Sequence, residues 1–349
     1  MAAFSAGRLA CPVGVLKTEK VDKAKLLRLL KKPYGLHRSQ LPAPPRHHGE
    51  LATHPMGHLF EEAQIAHLES HKQMRSWIEV PRTHAKGKQV LDCMWVYVYK
   101  FDKHGRLKKC KARLVVRGDQ QAKSIHENTY ASTLAGRSFR TLMAIAARFD
   151  LELLQYDAVN AFVNADLKQD IYMRMPPGFR KTGLILKLLK ALYGLRESPL
   201  LWQQEFTSTL EKLGFKRVPH EPCCMIQNGI IVFFYVDDIV FAYRKAQEKT
   251  ARDLINQLQQ KYRVTGGKPL QWFLGIEIIR DRKRRLIWLS QSDYLDKIAN
   301  LADACDKTPT HPMKKAELFP YEGRATGASI NKYQRKIGSI LYAAVITRL

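Results

Sequence analysis

Acidic residues are scarce in this chain: 32 Asp and Glu stand against 58 Lys and Arg over 349 residues, a formal net charge of +26. Such an excess points to a polyanionic partner, nucleic acid ahead of an acidic membrane surface. Cysteine is also sparse. The six cysteines (Cys11, Cys93, Cys110, Cys223, Cys224 and Cys305) form no C-x-x-C pair, which argues against a disulfide framework or a zinc ribbon and for reduced thiols. No apolar run approaches the roughly 18 to 20 residues that span a bilayer. The opening sixteen residues, interrupted by Arg8 and Pro12, make a poor secretory signal. The expectation is an intracellular protein of cytoplasm or nucleus, with no membrane partner. With 45% hydrophobic residues, the chain has material for a sizeable core, which excludes a disordered tail or a fibre.

Residues 17–49 are rich in Lys and Arg and end in a Pro-rich stretch, predicting an extended basic linker with, at most, a short helix near 26–30. Leu59, Ala63, Ile65 and Leu68 fit one face of a helix. An aromatic, β-branched run over 93–101, the turn Asp102-Lys103-His104-Gly105 and a second run over 106–116 predict a hairpin with a strongly basic second strand. Helical spacing returns at Phe139, Leu142, Met143, Ala146 and Phe149, at Trp202, Phe206, Leu210 and Leu213 before Gly214, and at Leu254, Ile255, Leu258 and Tyr262. Between them lie a buried strand over 151–156 ending in Asp157, an apolar hairpin (230–234 and 239–243) with Asp237 and Asp238 at its turn, and a strand over 273–279. The fold class expected is α+β, helices on an antiparallel sheet.

Tyr235-Val236-Asp237-Asp238 is the most informative tetrad. Two adjacent carboxylates between apolar strands are costly to bury without a counterion. A hard cation such as Mg²⁺ relieves them. Acidic turn residues are ordinary on their own, but Asp157 also ends a buried strand. If the two elements are sheet neighbours, three carboxylates meet at one edge. That is a ligand set for two divalent ions and in-line phosphoryl displacement, hence a nucleotidyl transferase.

At this point the chain resembles the reverse transcriptase domain of copia-type (pseudovirus-type) LTR retrotransposons. The resemblance runs from about Trp77 onward. It rests on Lys111-Ala112-Arg113-Leu114-Val115-Val116-Arg117-Gly118, on Tyr156-Asp157-Ala158-Val159-Asn160-Ala161-Phe162-Val163-Asn164-Ala165-Asp166-Leu167, and on Ile171-Tyr172-Met173-Arg174-Met175-Pro176-Pro177-Gly178-Phe179. Leu192-Tyr193-Gly194-Leu195-Arg196-Glu197-Ser198-Pro199, Tyr235-Val236-Asp237-Asp238, Phe273-Leu274-Gly275-Ile276-Glu277 and the block from Tyr333 to Tyr342 complete it. Seven blocks in the family's order are more specific than any one.

The resemblance implies a right-hand polymerase with a basic, flexible N-terminal linker (1–57), fingers (58–150), a palm with an interleaved fingers segment (151–290) and a truncated thumb or connection region (291–349). It implies an RNA-directed DNA polymerase that uses an RNA or DNA template with primer, deoxynucleoside triphosphates and two Mg²⁺ ions, with Mn²⁺ as the alternative metal. Asp157, Asp237 and Asp238 fall on the catalytic, metal-binding aspartates. Arg113, with Lys111, falls in the fingers hairpin that closes on the triphosphate, and Tyr193 and Gly194 in a nucleotide-binding block. Phe162 falls on the ring beneath the incoming sugar, where it would clash with a ribose 2′-OH. Lys103, Lys108 and Lys109 on the basic hairpin are the expected nucleic-acid contacts. The pattern departs from the family at Ala165, Glu197, Ser198 and Leu200, and the chain stops where the family continues toward RNase H. The expectation is therefore a fragment of a longer Pol polyprotein, particle-associated in the cytoplasm or nuclear. The competing reading is a catalytically idle nucleic-acid-binding relic.

Overall fold

Apolar stretches separated by turns divide the chain into short strands and amphipathic helices. The computed structural model describes residues 33–102, 104–122, 129–299 and 323–347. In chain order, α1 (Gly57–Gln73) leads to β1 (Trp77–Pro81), β2 (Val90–Leu91), β3 (Cys93–Phe101) and β4 (Leu107–Val116). Next come α2 (Gly136–Arg148), β5 (Glu152–Ala158), β6 (Asp166–Met173), β7 (Leu184–Lys190) and α3 (Ser198–Lys212). Strands β8 (Lys216–Val218), β9 (Glu221–Gln227), β10 (Ile230–Tyr235) and β11 (Asp238–Tyr243) precede α4 (Glu248–Lys261). The remaining elements are β12 (Val264–Pro269), β13 (Trp272–Phe273), β14 (Ile276–Asp281), β15 (Leu286–Ser290), α5 (Ser292–Ala299) and α6 (Gly327–Thr347). Helices and antiparallel sheet are mixed, as α+β patterning requires. Among the described residues no helix is long and apolar enough to cross a membrane.

The chain divides into two units, Met1–Ile125 with Asp166–Arg196, and His126–Ala165 with Glu197–Leu349. The first holds the sheet β1-β7-β6-β2 and the β3-β4 hairpin. A two-stranded hairpin is marginal alone, and α1 covers this one. Phe60 meets Tyr97 and Tyr99 with ring centroids 5.3 and 5.4 Å apart. The amide N–H of Leu114 donates to His67 Nε2 at 3.0 Å, and the Gln64 side-chain amide to the Tyr97 hydroxyl at 2.5 Å. This corrects the predicted face of α1: Ile65 is 59% exposed, while Phe60, Gln64 and His71 are buried. The hairpin offers tyrosine hydroxyls and unpaired strand N–H groups, and buried polar groups require partners, so a polar stripe faces inward.

The flexible linker expected through residue 57 is also corrected. From Pro33 on the segment is docked: Gly35 N donates to Leu107 O at 2.9 Å, Leu107 N to Leu36 O at 2.8 Å and Arg38 N to Gly105 O at 2.9 Å. Leu51 and Met56 are buried. The start of β4 offers unpaired backbone groups that this segment satisfies. Residues 1–32, including the helix expected near 26–30, lie outside the described residues.

The second unit carries the sheet β12-β5-β11-β10-β9-β8 and the sheet β13-β14-β15. Strands β10 and β11 are buried along nearly their whole length because helices supply aromatic cover. Phe139 of α2 meets Phe233 of β10 edge-on at 6.4 Å, and Phe206 of α3 meets Phe234 edge-on at 4.9 Å. The faces predicted for α2, α3 and α4 are the buried ones, except at two C-terminal ends, where Phe149 is 51% exposed and Leu213 is half-buried. The single strand expected over 273–279 is instead two, split by Leu274 and Gly275 at φ 53° and 77°. Two successive positive φ values make a tight hairpin turn, and hydrophobic content alone hides it. Burial pushes Cys93, Cys223 and Cys224 up to about 12 and Cys110 to about 11, so these thiols are inert packing groups. Cys11 and Cys305 lie outside the described residues.

Candidate functional site

Strand β5 lies between β11 and β12 in the second unit. Its pairing with β11 sets Asp157 directly opposite Asp238, Tyr156 opposite Ile239 and Gln155 opposite Val240. Directly opposed residues on antiparallel strands share a face, with Cβ atoms about 4.5–5.5 Å apart. Asp237 joins them through its backbone, whose carbonyl accepts from Ala158 N at 2.8 Å. The β10-β11 turn and the C-terminal end of β5 therefore place three aspartates at one sheet edge. Asp157 is exposed, and Asp237 and Asp238 are half-buried.

The turn itself is unusual. Val236 has φ 57°, a region that β-branched residues avoid, and the cost of such backbone, of order 1–3 kcal/mol, must be met by its surroundings. The indole N–H of Trp202, buried on α3, donates to the Val236 carbonyl at 2.6 Å. From β5, the Gln155 side-chain amide donates to Asp238 Oδ1 at 3.0 Å. Burial first, and then the charge of Asp237, raises the pKa of Asp238 from its ordinary value, against the pull of the Gln155 hydrogen bond. Sequence reasoning missed Gln155, Trp202 and Val236 as site residues; the only available signal was the position of Gln155 two residues before Asp157, on the same strand face.

For a divalent ion, the donor chemistry fits. Carboxylate oxygens are the ligands hard cations take, and no Lys or Arg ion pair engages Asp237 or Asp238 among the described residues. The side chains are not drawn into a finished cage: among the described residues no group of three or more His, Cys, Asp or Glu is disposed to hold a metal. Backbone register brings the three residues to one edge.

Phe162 lies in a 3-10 turn, Ala161–Asn164, entered through left-handed Asn160. It is 8% exposed.

The other expected contacts lie in the first unit. The Arg113 guanidinium sits 4.7 Å from the Tyr193 ring centroid, and Val116 N donates to Tyr193 O at 2.8 Å. Gly194 follows at φ 99°, where an added Cβ would stand 2.0 Å from Val116 O. Only glycine lets this loop lie against β4. Lys111 is two residues before Arg113 on β4, and Lys108 and Lys109 are exposed at its start. Lys103 lies outside the described residues. The structure thus groups Arg113, Tyr193 and Gly194 in one unit and Asp157, Asp237, Asp238 and Phe162 in the other.

Residues 77–315 match the family model for reverse transcriptase (RNA-dependent DNA polymerase). The chain belongs to this family. Relatives of the reverse transcriptase domain include the retrovirus-related Pol polyprotein from transposon TNT 1-94 of Nicotiana tabacum, 30% identical over 86% of this chain and 23% of the relative. The Pol polyprotein from transposon RE1 of Arabidopsis thaliana is 30% identical over 73% of this chain and 18% of the relative. The Ty1-DR1 Gag-Pol polyprotein of Saccharomyces cerevisiae is 26% identical over 67% and 13%. This is the reverse transcriptase domain type of copia-type retrotransposon Pol polyproteins, and the chain spans less than a quarter of the length of these relatives.

Proposed function

We propose that the chain extends a primer by deoxynucleotide addition on an RNA or DNA template. The observation that carries this reading is the register of Asp157 against Asp238 beside the Asp237 turn. Asp157, Asp237 and Asp238 would hold two Mg²⁺ ions, or Mn²⁺ in their place. When bound, such a pair supplies activation of the attacking 3′-oxygen and stabilisation of the leaving oxygen. Gln155 orients the Asp238 carboxylate, and Trp202 holds the turn that presents Asp237. Arg113, steadied by the Tyr193 ring and assisted by Lys111, meets the triphosphate and stabilises its developing charge. Gly194 lets the Tyr193 loop reach β4. Phe162 underlies the sugar and selects deoxyribose. Lys103, Lys108 and Lys109 contact the phosphate backbone of the primer-template.

In this reading residues 58–150 act as fingers, 151–290 as palm with an interleaved fingers segment, and 291–349 as thumb region, following 1–57. The domain works within a longer, intracellular Pol polyprotein. A second reading, a nucleic-acid-binding domain without turnover, rests on the departures from the family pattern at Ala165, Glu197, Ser198 and Leu200. Primer extension by the purified chain on an RNA template with Mg²⁺ separates the two. Extension establishes the polymerase; a gel shift with no extension selects the idle binder.

A further inference from the structure

Helix α6 is fastened along one side only, the side that carries its one buried residue, Ala343. From α5, the Tyr294 hydroxyl donates to Ser339 O at 3.4 Å, and the Tyr294 ring meets Tyr342 edge-on at 5.1 Å. Arg140 of α2 donates to Val345 O at 2.8 Å and to Ile346 O at 3.1 Å, satisfying carbonyls that a helix end leaves open. The Thr347 hydroxyl donates to Gln291 Oε1 at 2.9 Å.

The other side is apolar and open. Ile330, Tyr333, Ile337, Ile340, Leu341 and Val345 are each 44–67% exposed. At 3.6 residues per turn they share an arc about 140° wide, centred roughly 150° from Ser339 and Ala343. Together they present roughly 600 Å² per copy, the upper end of what a monomer carries in one patch. Two such patches face to face bury roughly 1,200 Å², where specific interfaces begin.

The spacing selects what covers the arc. Ile330, Tyr333, Ile337, Ile340, Ala344 and Thr347 alternate intervals of three and four residues, the heptad seam into which a second helix fits its own side chains. Charge selects which helix. No Asp or Glu occurs in α6, and Lys332 and Arg335 lie on the far side from the arc, out of reach of an acidic helix seated there. A copy of α6 brings no carboxylate to the seam. Run antiparallel about a two-fold axis, Tyr333 lies over Ala344 of the second copy, Ile330 over Thr347 and Ile337 over Ile340. Large residues then meet small ones toward both ends, and the helix dipoles oppose. The two Lys336 side chains are offset by five residues, about 7.5 Å along the axis.

We infer that α6 is a self-association helix, through which two copies of the chain pair antiparallel along this seam. The seam involves none of the aspartates, so the inference stands apart from the polymerase reading. The test is sedimentation velocity on the nuclease-treated full chain from about 1 to 100 µM, over which monomer should pass to dimer. Replacing Ile337, Ile340 and Leu341 together by Gln alters only exposed positions, so the melting temperature of dilute protein should hold while pairing weakens at least about a hundredfold. Ala344→Leu should weaken pairing about tenfold, and Tyr333→Ala added to it should restore pairing, as for two residues that meet across the axis. The dimer should also survive about 1 M salt, which parts copies bridged by bound nucleic acid. Hydrogen exchange needs no variant: amides over 330–345 should exchange more slowly at about 100 µM than at about 1 µM. A wild type that stays monomeric, a dimer lost in high salt, a folded triple variant that still pairs, or exchange in α6 that ignores concentration each overturns the inference. A Tyr333→Ala, Ala344→Leu double variant that pairs no better than Ala344→Leu alone overturns the antiparallel seam.

Discussion

The indole N–H of Trp202 donates to the carbonyl oxygen of Val236 at 2.6 Å, so a helix residue some 34 positions upstream holds the strained residue of the aspartate turn. Trp202→Phe keeps a ring to stack on Phe206, now 5.1 Å away, and deletes the hydrogen bond. Unfolding free energy should fall by about 1–3 kcal/mol, read by urea titration. Primer extension should fall by about tenfold, because a shift of that turn misplaces Asp237. An unchanged extension rate in the destabilised variant would confine Trp202 to the core.

Asp237→Asn should cut extension by at least about a hundredfold, equivalent to about 2.7 kcal/mol of barrier, and leave duplex affinity nearly unchanged, since binding rests on Lys and Arg contacts to phosphate. Mg²⁺ should raise the melting temperature of the wild type, as any ligand of the native state does. The same titration of Asp157→Asn should show little rise. Equal stabilisation of both proteins would place the ion elsewhere.

Burial holds His71 down to about 4 and His67 to about 3, the latter also repelled by His71, Arg113 and Lys111. Both rings are neutral in the fold and, with folded values below the unfolded one, their contribution is complete above about pH 6.5 and is lost as pH falls toward 4 and 3. Stability of the first unit should drop by up to about 2.7 kcal/mol per pH unit at the steepest part, two protons' worth. His71→Gln should halve that slope between pH 6.5 and 5, measured by denaturant melts followed through Trp fluorescence. A flat wild-type profile over that interval would show that the rings charge without opening the fold.

Phe162→Val opens space beneath the proposed sugar site and leaves the three aspartates untouched. Ribonucleotide use relative to deoxynucleotide should rise about tenfold or more, corresponding to a clash of about 1.4 kcal/mol or above. Single-nucleotide incorporation assays decide it. Retained deoxynucleotide rates with no gain in ribonucleotide use would make Phe162 a packing residue only.

Periodicity made the hairpin β3-β4, strand β5, the β10-β11 hairpin and helices α2 to α4 legible, because each buries a continuous stripe. It failed for α1, where Gln64 and His71 turn inward to meet the hydroxyls of Tyr97 and Ser76. It also failed for the short strands β1, β2 and β6, the last written with a polar sequence and paired to β7 through an irregular register. The aspartates were legible because adjacent carboxylates in an apolar setting are conspicuous. Gln155, Trp202 and Val236 were not: their roles arise from cross-strand register, a helix docking and one backbone angle, none of which leaves a mark in residue type.

Strand β5 is gripped from both sides, by β11 in regular register and by β12 across a bulge between Gly266 and Lys268. A strand so held has no small displacements open to it. Sliding by one residue would turn Asp157 to the opposite face from Asp238, and would have to break two unlike ladders together. The meeting of these aspartates is therefore a digital property of the sheet: the protein either has it whole or lacks it, and intermediate degrees of alignment belong to side-chain rotation alone.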